Sequence, residues 1–288
     1  MRRPLLASFL APLLASCSPQ GLVNDLTPRG GTTLREGIAY GPGPRQRYDL
    51  YTPAELRPDT PLVVFFYGGG WTNGDRGGFG FVAYPLAGLG ALVAVPDYRL
   101  LPEGRWPVFM EDGAAALAAL RDGPGRGRPV ILMGHSAGAF IAVALAADPR
   151  WLGRPARDAL AGCIGLAGPY DYGPEEDRTG VFRDAPGARA RAAPPDVRDL
   201  RGAPPFLLLH GTDDRTVRPL QTTAFAALLR AEAVPATEKT YPGVGHIGIV
   251  AAFAAPLRGL GLDAGPVLED VAAWLATGPR GAARPIPS

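Results

Sequence analysis

The chain has 288 residues, 47% hydrophobic and 19% charged, which supplies enough apolar side chain for a substantial core and argues against a disordered chain. The formal net charge is +2, Lys239 is the only lysine, and no dense basic run with interleaved aromatics occurs, so composition argues against a nucleic-acid surface. Three scattered histidines without an H-E-x-x-H spacing, no Walker-type Gly-Lys-Ser/Thr and no strand-linked G-x-G-x-x-G argue against a metal site, a phosphate cradle or any cofactor.

The N-terminus reads as an export signal. Met1-Arg2-Arg3 is basic, Pro4 to Ala15 is apolar but too short to span a bilayer easily, and Leu14-Ala15-Ser16-Cys17 resembles a bacterial lipobox. The expectation is a lipoprotein signal peptide over residues 1–16, lipidation of Cys17, and a tether over 17–32 that lacks hydrophobic periodicity and is rich in turn formers. Acyl chains contribute about 0.8 kcal/mol per buried methylene, so the partner at this end is a membrane. Ser18 after the cysteine is similar to lipoproteins sent to an outer membrane, so the expectation is an exported lipoprotein on the periplasmic face of a membrane, the outer membrane if the host is Gram-negative. With Cys17 lipidated, Cys163 has no intramolecular disulfide partner and reads as a small core residue in the apolar run from Ala161 to Ala167.

Residues 33–277 read as one domain, followed by a tail over 278–288. Apolar runs at 62–66, 91–95, 130–133, 161–167 and 206–209 alternate with alanine-rich, helix-like stretches, the pattern of an α/β fold with a doubly wound, mostly parallel sheet flanked by helices. The run at 62–66 leads directly into Tyr67-Gly68-Gly69-Gly70-Trp71, where consecutive glycines let main-chain amides approach a ligand without a Cβ between them. The run at 130–133 leads into Gly134-His135-Ser136-Ala137-Gly138 and then into an alanine-rich stretch to Ala147. That is strand, tight turn and helix around a G-x-S-x-G nucleophile elbow. A serine alcohol is a poor nucleophile near neutral pH and needs an imidazole to take its proton and a carboxylate to orient the imidazole.

Of the three histidines, His135 sits inside the elbow, where the sharp turn should aim it away from Ser136, and His210 ends an apolar run that reads as a buried strand. His246 remains as the base, in a glycine-rich loop after the strand-like Ala236 to Tyr241. Two aspartates, Asp213 and Asp214, stand side by side in the loop after the run at 206–209. The order nucleophile, acid, base matches the α/β-hydrolase order rather than that of chymotrypsin or subtilisin.

On these residues the chain resembles the esterase group of α/β-hydrolases that includes hormone-sensitive-lipase-like carboxylesterases, kynurenine formamidase-like enzymes and feruloyl- or carbohydrate-esterase-like domains. The resemblance covers roughly residues 33–277 and includes Pro96-Asp97-Tyr98-Arg99-Leu100-Leu101-Pro102-Glu103. It implies N–H donors of Gly69, Gly70 and Ala137 in an oxyanion hole, with Tyr67 standing where the group has a histidine. The group's His-Gly-x-x-Asp-x-x-Val pattern, with Val217 in register, implies Asp214 as the acid. Asp97 and Asp112 are expected as ion-pair or cap partners, and the stretch from Pro169 to Pro205 as a small cap excursion. Tyr67, Trp71 and Tyr170 are candidate pocket walls, with ordinary packing as the alternative. The implied activity is hydrolysis of carboxylic esters of small or medium acyl groups through Ser136, His246 and Asp214. An arylformamidase-type amidase with the same groups, or a catalytically silent binding protein on the same fold, is the alternative.

Overall fold

The computed structural model describes residues 19–171, 177, 179–183, 200–259 and 265–277. Among these, eight strands form one sheet: β1 (Thr33–Ala39), β2 (Arg47–Thr52), β3 (Leu62–Phe66), β4 (Leu92–Pro96), β5 (Val130–His135), β6 (Gly162–Leu166), β7 (Phe206–Gly211) and β8 (Ala236–Tyr241), in the order β1-β2-β4-β3-β5-β6-β7-β8. β2 pairs antiparallel with β1 and β4, and every pairing from β4 through β3 to β8 is parallel. The helices are α1 (Pro19–Leu26), α2 (Gly80–Gly88), α3 (Val108–Asp122), α4 (Ala137–Ala147), α5 (Pro149–Leu152), α6 (Arg154–Asp158), α7 (Leu220–Ala231), α8 (Gly248–Ala251), α9 (Ala255–Gly259) and α10 (Val267–Ala276).

Strands β3 to β7 are buried at every residue, which is why they read as unbroken apolar runs rather than as alternating patterns. The six strand-like runs of the sequence, including 236–241, correspond to β3 through β8 within a residue or two. β1 and β2 carry no such run. β1, with the sequence Thr-Leu-Arg-Glu-Gly-Ile-Ala, lies at the sheet edge with most side chains partly or fully exposed, so its pairing with β2 holds it rather than apolar burial. α4 is buried at all eleven positions, so it is apolar all round and packs on β5, β6 and β3.

The register puts the functional loops at one edge. Phe66 pairs with Gly134, Gly134 with Gly165, Leu166 with Leu209 and Gly211 with Tyr241, so β3, β5, β6, β7 and β8 end nearly level. The loops after these strands meet beyond their carboxyl ends, where open α/β sheets hold ligands.

Asp97 and Asp112 are ion-pair residues, as expected. Buried Asp97 takes Arg76 Nη1 at 2.6 Å and Arg45 Nη2 at 3.4 Å, and Arg99 grips Asp112 through Nε at 2.8 Å and Nη2 at 2.7 Å. The stretch expected as a plain tether departs from that reading. Residues 19–26 form α1, which docks on the body through Gln20 Nε2 donating to Gly78 O at 2.7 Å and Asn24 Nδ2 donating to Gly77 O at 2.8 Å, while Asn24 Oδ1 accepts from Phe81 N–H at 2.8 Å. Val23 packs against the core while Leu22 and Leu26 stay exposed, so a helix of eight residues shows too short an apolar face to be told from a tether by sequence. Residues 1–18, Cys17 among them, residues 278–288, and 172–176, 178 and 184–199 of the cap excursion lie outside the described residues. No helix among the described residues is long and apolar enough to cross a membrane.

Candidate active site

The elbow is built by steric exclusion. A Cβ at Gly134 would run into the Gly138 carbonyl, and one at Gly138 into the carbonyls of Phe66 and Tyr67, so only glycine lets β5 turn into α4 this tightly against β3. Ser136 takes φ 53° and ψ −123°, a backbone region costly for a residue with a side chain. The surroundings hold it there: Ser136 N–H donates to Leu166 O at 2.9 Å, and its own carbonyl accepts from Ala139 N–H at 2.9 Å and Phe140 N–H at 3.1 Å.

Ser136 Oγ lies 2.8 Å from His246 Nε2, and His246 Nδ1 lies 2.7 Å from Asp214 Oδ2. An imidazole with a carboxylate at Nδ1 carries its proton there, leaving Nε2 to accept from the serine hydroxyl. Asp214 Oδ1 accepts from the N–H groups of Thr216 and Val217, both at 2.9 Å. Burial alone would push the Asp214 carboxyl up, but hydrogen bonds from His210, His246 and Val217 N–H outweigh it and hold the group well below the usual carboxylate range. Asp213 faces solvent and accepts from the Thr212 hydroxyl at 3.0 Å, so of the two adjacent aspartates only Asp214 reaches the imidazole.

The glycine loop after β3 lies against the serine. A Cβ on Gly68 would meet His135 Nδ1 at 2.8 Å and Ser136 Cβ at 3.0 Å. Gly69 at φ 138° and Gly70 at φ 59° turn the loop, and a Cβ on Gly69 would strike the Asn73 carbonyl. The turn closes through Thr72 N–H and Asn73 N–H, each donating to Gly69 O at 3.1 Å. The N–H groups of Gly69, Gly70 and Ala137 take no part in those turn bonds. Ala137 N–H also sits in the first turn of α4, where no intrahelical acceptor exists.

The three aromatics that the sequence left open as pocket walls or ordinary packing are all buried and packed. Tyr67 is fully buried, stacked between Phe79 and Tyr98 at ring-centroid separations of 5.1 and 4.9 Å. Its hydroxyl donates to Asp97 Oδ1 at 2.7 Å and accepts from Arg45 Nη2 at 2.7 Å, while its carbonyl accepts from the Tyr98 hydroxyl at 2.8 Å. The side chain therefore fixes the base of the glycine loop. Trp71 is buried among Phe109, Phe140 and Phe182, with centroids at 5.6, 5.6 and 5.3 Å. Tyr170 is buried 5.1 Å from the Phe225 ring, over Gly165 and Gly168, which have no Cβ to collide with it. Apolar side chains from other elements and loops capture all three, and none of those partners is a local neighbour in sequence.

Two histidines do more than their sequence positions indicate. His135, expected to point away, is buried and donates Nε2–H to the His246 carbonyl at 3.0 Å, with the two rings 4.9 Å apart. Burial, and next the neighbouring His246, push its pKa down to about 3, so it braces the base loop as a neutral imidazole. His210 does end a buried strand, and its Nε2 also lies 3.1 Å from Asp214 Oδ2. Its spacing four residues before Asp214, in His-Gly-x-x-Asp, was the signal available. No group of three metal-ligating side chains occurs among the described residues.

With this geometry in place, the comparisons agree on the class. The chain has the α/β-hydrolase fold, and a family model described as alpha/beta hydrolase fold matches residues 63–180, from β3 past the elbow. Among curated proteins it is 29% identical over 262 residues to the probable isoprenylcysteine alpha-carbonyl methylesterase ICME of Oryza sativa subsp. japonica, covering 81% of this chain and 62% of that protein. It is 30% identical over 243 residues to esterase LipC of Mycobacterium tuberculosis, covering 74% of this chain and 59% of that protein. The chain thus spans about six-tenths of the length of these two relatives. Among solved structures, a truncated carbohydrate esterase from gut microbiota superposes with a TM-score of 0.71 at 17% identity, covering 87% of this chain and 97% of that one.

Proposed function

We propose that the chain is a serine hydrolase acting on carboxylic esters of small or medium acyl groups. Ser136 attacks the ester carbonyl while His246 Nε2 takes its proton, and Asp214 holds the imidazole tautomer and faces the imidazolium that forms. The N–H groups of Gly69, Gly70 and Ala137 receive the oxygen that becomes negative in the tetrahedral intermediate. His246 then protonates the leaving alcohol, and water resolves the acyl-enzyme with the same groups. One observation carries this reading: Ser136 Oγ at 2.8 Å from His246 Nε2 and His246 Nδ1 at 2.7 Å from Asp214 Oδ2, with the glycine loop packed on Ser136. The relatives named as esterases support it.

The test is a panel of p-nitrophenyl esters of increasing acyl length, each paired with the matching anilide, with Ser136→Ala as the blank. Ester turnover that falls with acyl length and disappears in Ser136→Ala is the expected result. Preference for the anilides turns the reading to an amidase, and no turnover of either by folded protein leaves a binding protein.

We also propose that Cys17 is lipidated and holds the protein on the periplasmic face of a bacterial membrane. The lipobox-like Leu14-Ala15-Ser16-Cys17 supports this. α1 begins at Pro19 and docks on the body, so such an anchor would keep the catalytic domain close to the bilayer. Incorporation of labelled palmitate that is lost in Cys17→Ser supports the anchor, and incorporation unchanged by that substitution removes it.

A further inference from the structure

His210 has no part in the chemistry above, yet its ring stands directly behind the acid. It is fully buried at the end of β7. Nε2 lies between two acceptors, Asp214 Oδ2 at 3.1 Å and Val217 O at 2.9 Å, and Nδ1 lies 2.6 Å from Oγ1 of Thr222, itself fully buried on α7. A nitrogen facing a carboxylate and a carbonyl must carry a proton, since a bare lone pair there would be repelled by both. In the neutral ring Nδ1 then accepts the Thr222 hydroxyl proton.

We propose that Thr222 and His210 form a positioning pair for the acid: the Thr222 hydroxyl selects the Nε2–H tautomer of His210, and that N–H fixes the Asp214 carboxylate in the orientation His246 requires. The inference rests on the reading of Ser136, His246 and Asp214 as the catalytic groups.

The carboxylate has four donors: His246 Nδ1–H and His210 Nε2–H on Oδ2, and the N–H groups of Thr216 and Val217 on Oδ1. The two on Oδ1 come from the loop that carries Asp214 and move with it. The donor from His210 comes from the sheet, which ties the acid to the rigid frame that also carries Ser136. The ionisable groups facing the pair are Asp214, His246 from the loop after β8, and His135 from β5. Removing the His210 donor has two consequences of separate kinds. The carboxylate can tilt, which lowers the rate without touching substrate binding. Its charge is also shared with one fewer N–H group, so it favours the imidazolium of His246 more strongly, and the acid limb of the rate profile moves to higher pH.

The experiment measures the second-order rate of labelling of Ser136 by a fluorophosphonate against pH, in the full chain and in His210→Leu, His210→Gln, Thr222→Val and Thr222→Ser, with folding checked by circular dichroism. Glutamine reaches as far as Nε2 and keeps an N–H donor, and serine keeps the hydroxyl. The expected result is a rate about tenfold lower in His210→Leu and Thr222→Val, with the acid limb raised by roughly half a pH unit, and recovery to within about threefold in the Gln and Ser variants. A purely structural residue would lower the melting temperature without moving the limb. If His210→Leu does not fold, the nearly isosteric Thr222→Val decides. Folded Leu or Val variants labelled at the wild-type rate with an unmoved limb overturn the proposal, as does Thr222→Ser behaving like Thr222→Val. Absence of labelling in folded wild type defeats the catalytic reading instead. The pair is then judged by a slowly exchanging His210 Nε2–H proton resonance, expected in wild type and lost in Thr222→Val; its absence from wild type overturns the pair.

Discussion

Replacing Tyr67 with phenylalanine removes one oxygen from the base of the glycine loop and leaves the ring stacked between Phe79 and Tyr98. Two bonds disappear, the donation to Asp97 Oδ1 at 2.7 Å and the acceptance from Arg45 Nη2 at 2.7 Å. Asp97 keeps Arg76 N–H at 2.8 Å and Arg76 Nη1 at 2.6 Å, and Arg45 keeps the carbonyls of Tyr98 and Gly74 at 2.9 and 2.8 Å, so neither charge is stranded. A hydrogen bond to a charged group contributes about 1.5–3 kcal/mol; because Asp97 and Arg45 each keep other partners, the two lost bonds together are taken as about 2 kcal/mol, which gives a fall in melting temperature of about 4–8 °C for a domain of this size. The loop bearing Gly69 and Gly70 is less firmly held, so kcat falls several-fold while KM changes little across the acyl series. Thermal unfolding and steady-state kinetics on short and medium acyl esters check both parts. An unchanged melting temperature together with a KM that shifts with acyl size would show that Tyr67 lines the pocket, and would refute the bracing role.

Asp214→Asn should lower kcat by about 10⁴-fold, as loss of the orienting carboxylate does in serine hydrolases, whereas Asp213→Asn should stay within about twofold; steady-state kinetics of the two variants show whether the adjacent aspartates are correctly distinguished. Gly138→Ala should reduce turnover by about 100-fold or more, because the added methyl pushes the carbonyls of Phe66 and Tyr67 and so moves Ser136 relative to the glycine loop; activity near wild type would mean that the elbow relaxes freely. His135 is depressed to about 3 in the fold, while an unfolded histidine takes up its proton near pH ~6.5, so its contribution to stability is complete above that pH and is lost as pH falls. Denaturant unfolding between pH 6.5 and 4.5 should therefore show stability falling by up to about 1.4 kcal/mol per pH unit from this group, and His135→Gln should flatten that slope; an unchanged slope contradicts the buried neutral histidine.

The parallel core was readable because each strand from β3 to β7 is buried on both faces and so is spelled in uninterrupted apolar residues. The antiparallel edge was not, since β1 has no buried residue and is held by pairing with β2, while β2 buries Tyr48, Leu50 and Tyr51 around Asp49, which pairs with Arg76 at 2.7 Å, so neither is spelled as an apolar run. Ser136 and His246 were legible because the turn chemistry around one and the elimination of the other histidines are local facts. The contacts of His135 and His210 were not, because each depends on a loop more than one strand away or on the curl of its own turn. The same holds for Tyr67, Trp71 and Tyr170: an aromatic beside a catalytic motif looks like a pocket wall until the helices and strands that bury it are known.

The central claim is that Ser136 is an activated nucleophile. Peptide mapping by mass spectrometry after reaction with a fluorophosphonate tests it directly. The predicted result is one adduct, on the peptide carrying Ser136, absent from Ser136→Ala and strongly slowed in His246→Ala. A folded protein that takes no adduct, or takes it on another residue, would contradict the account.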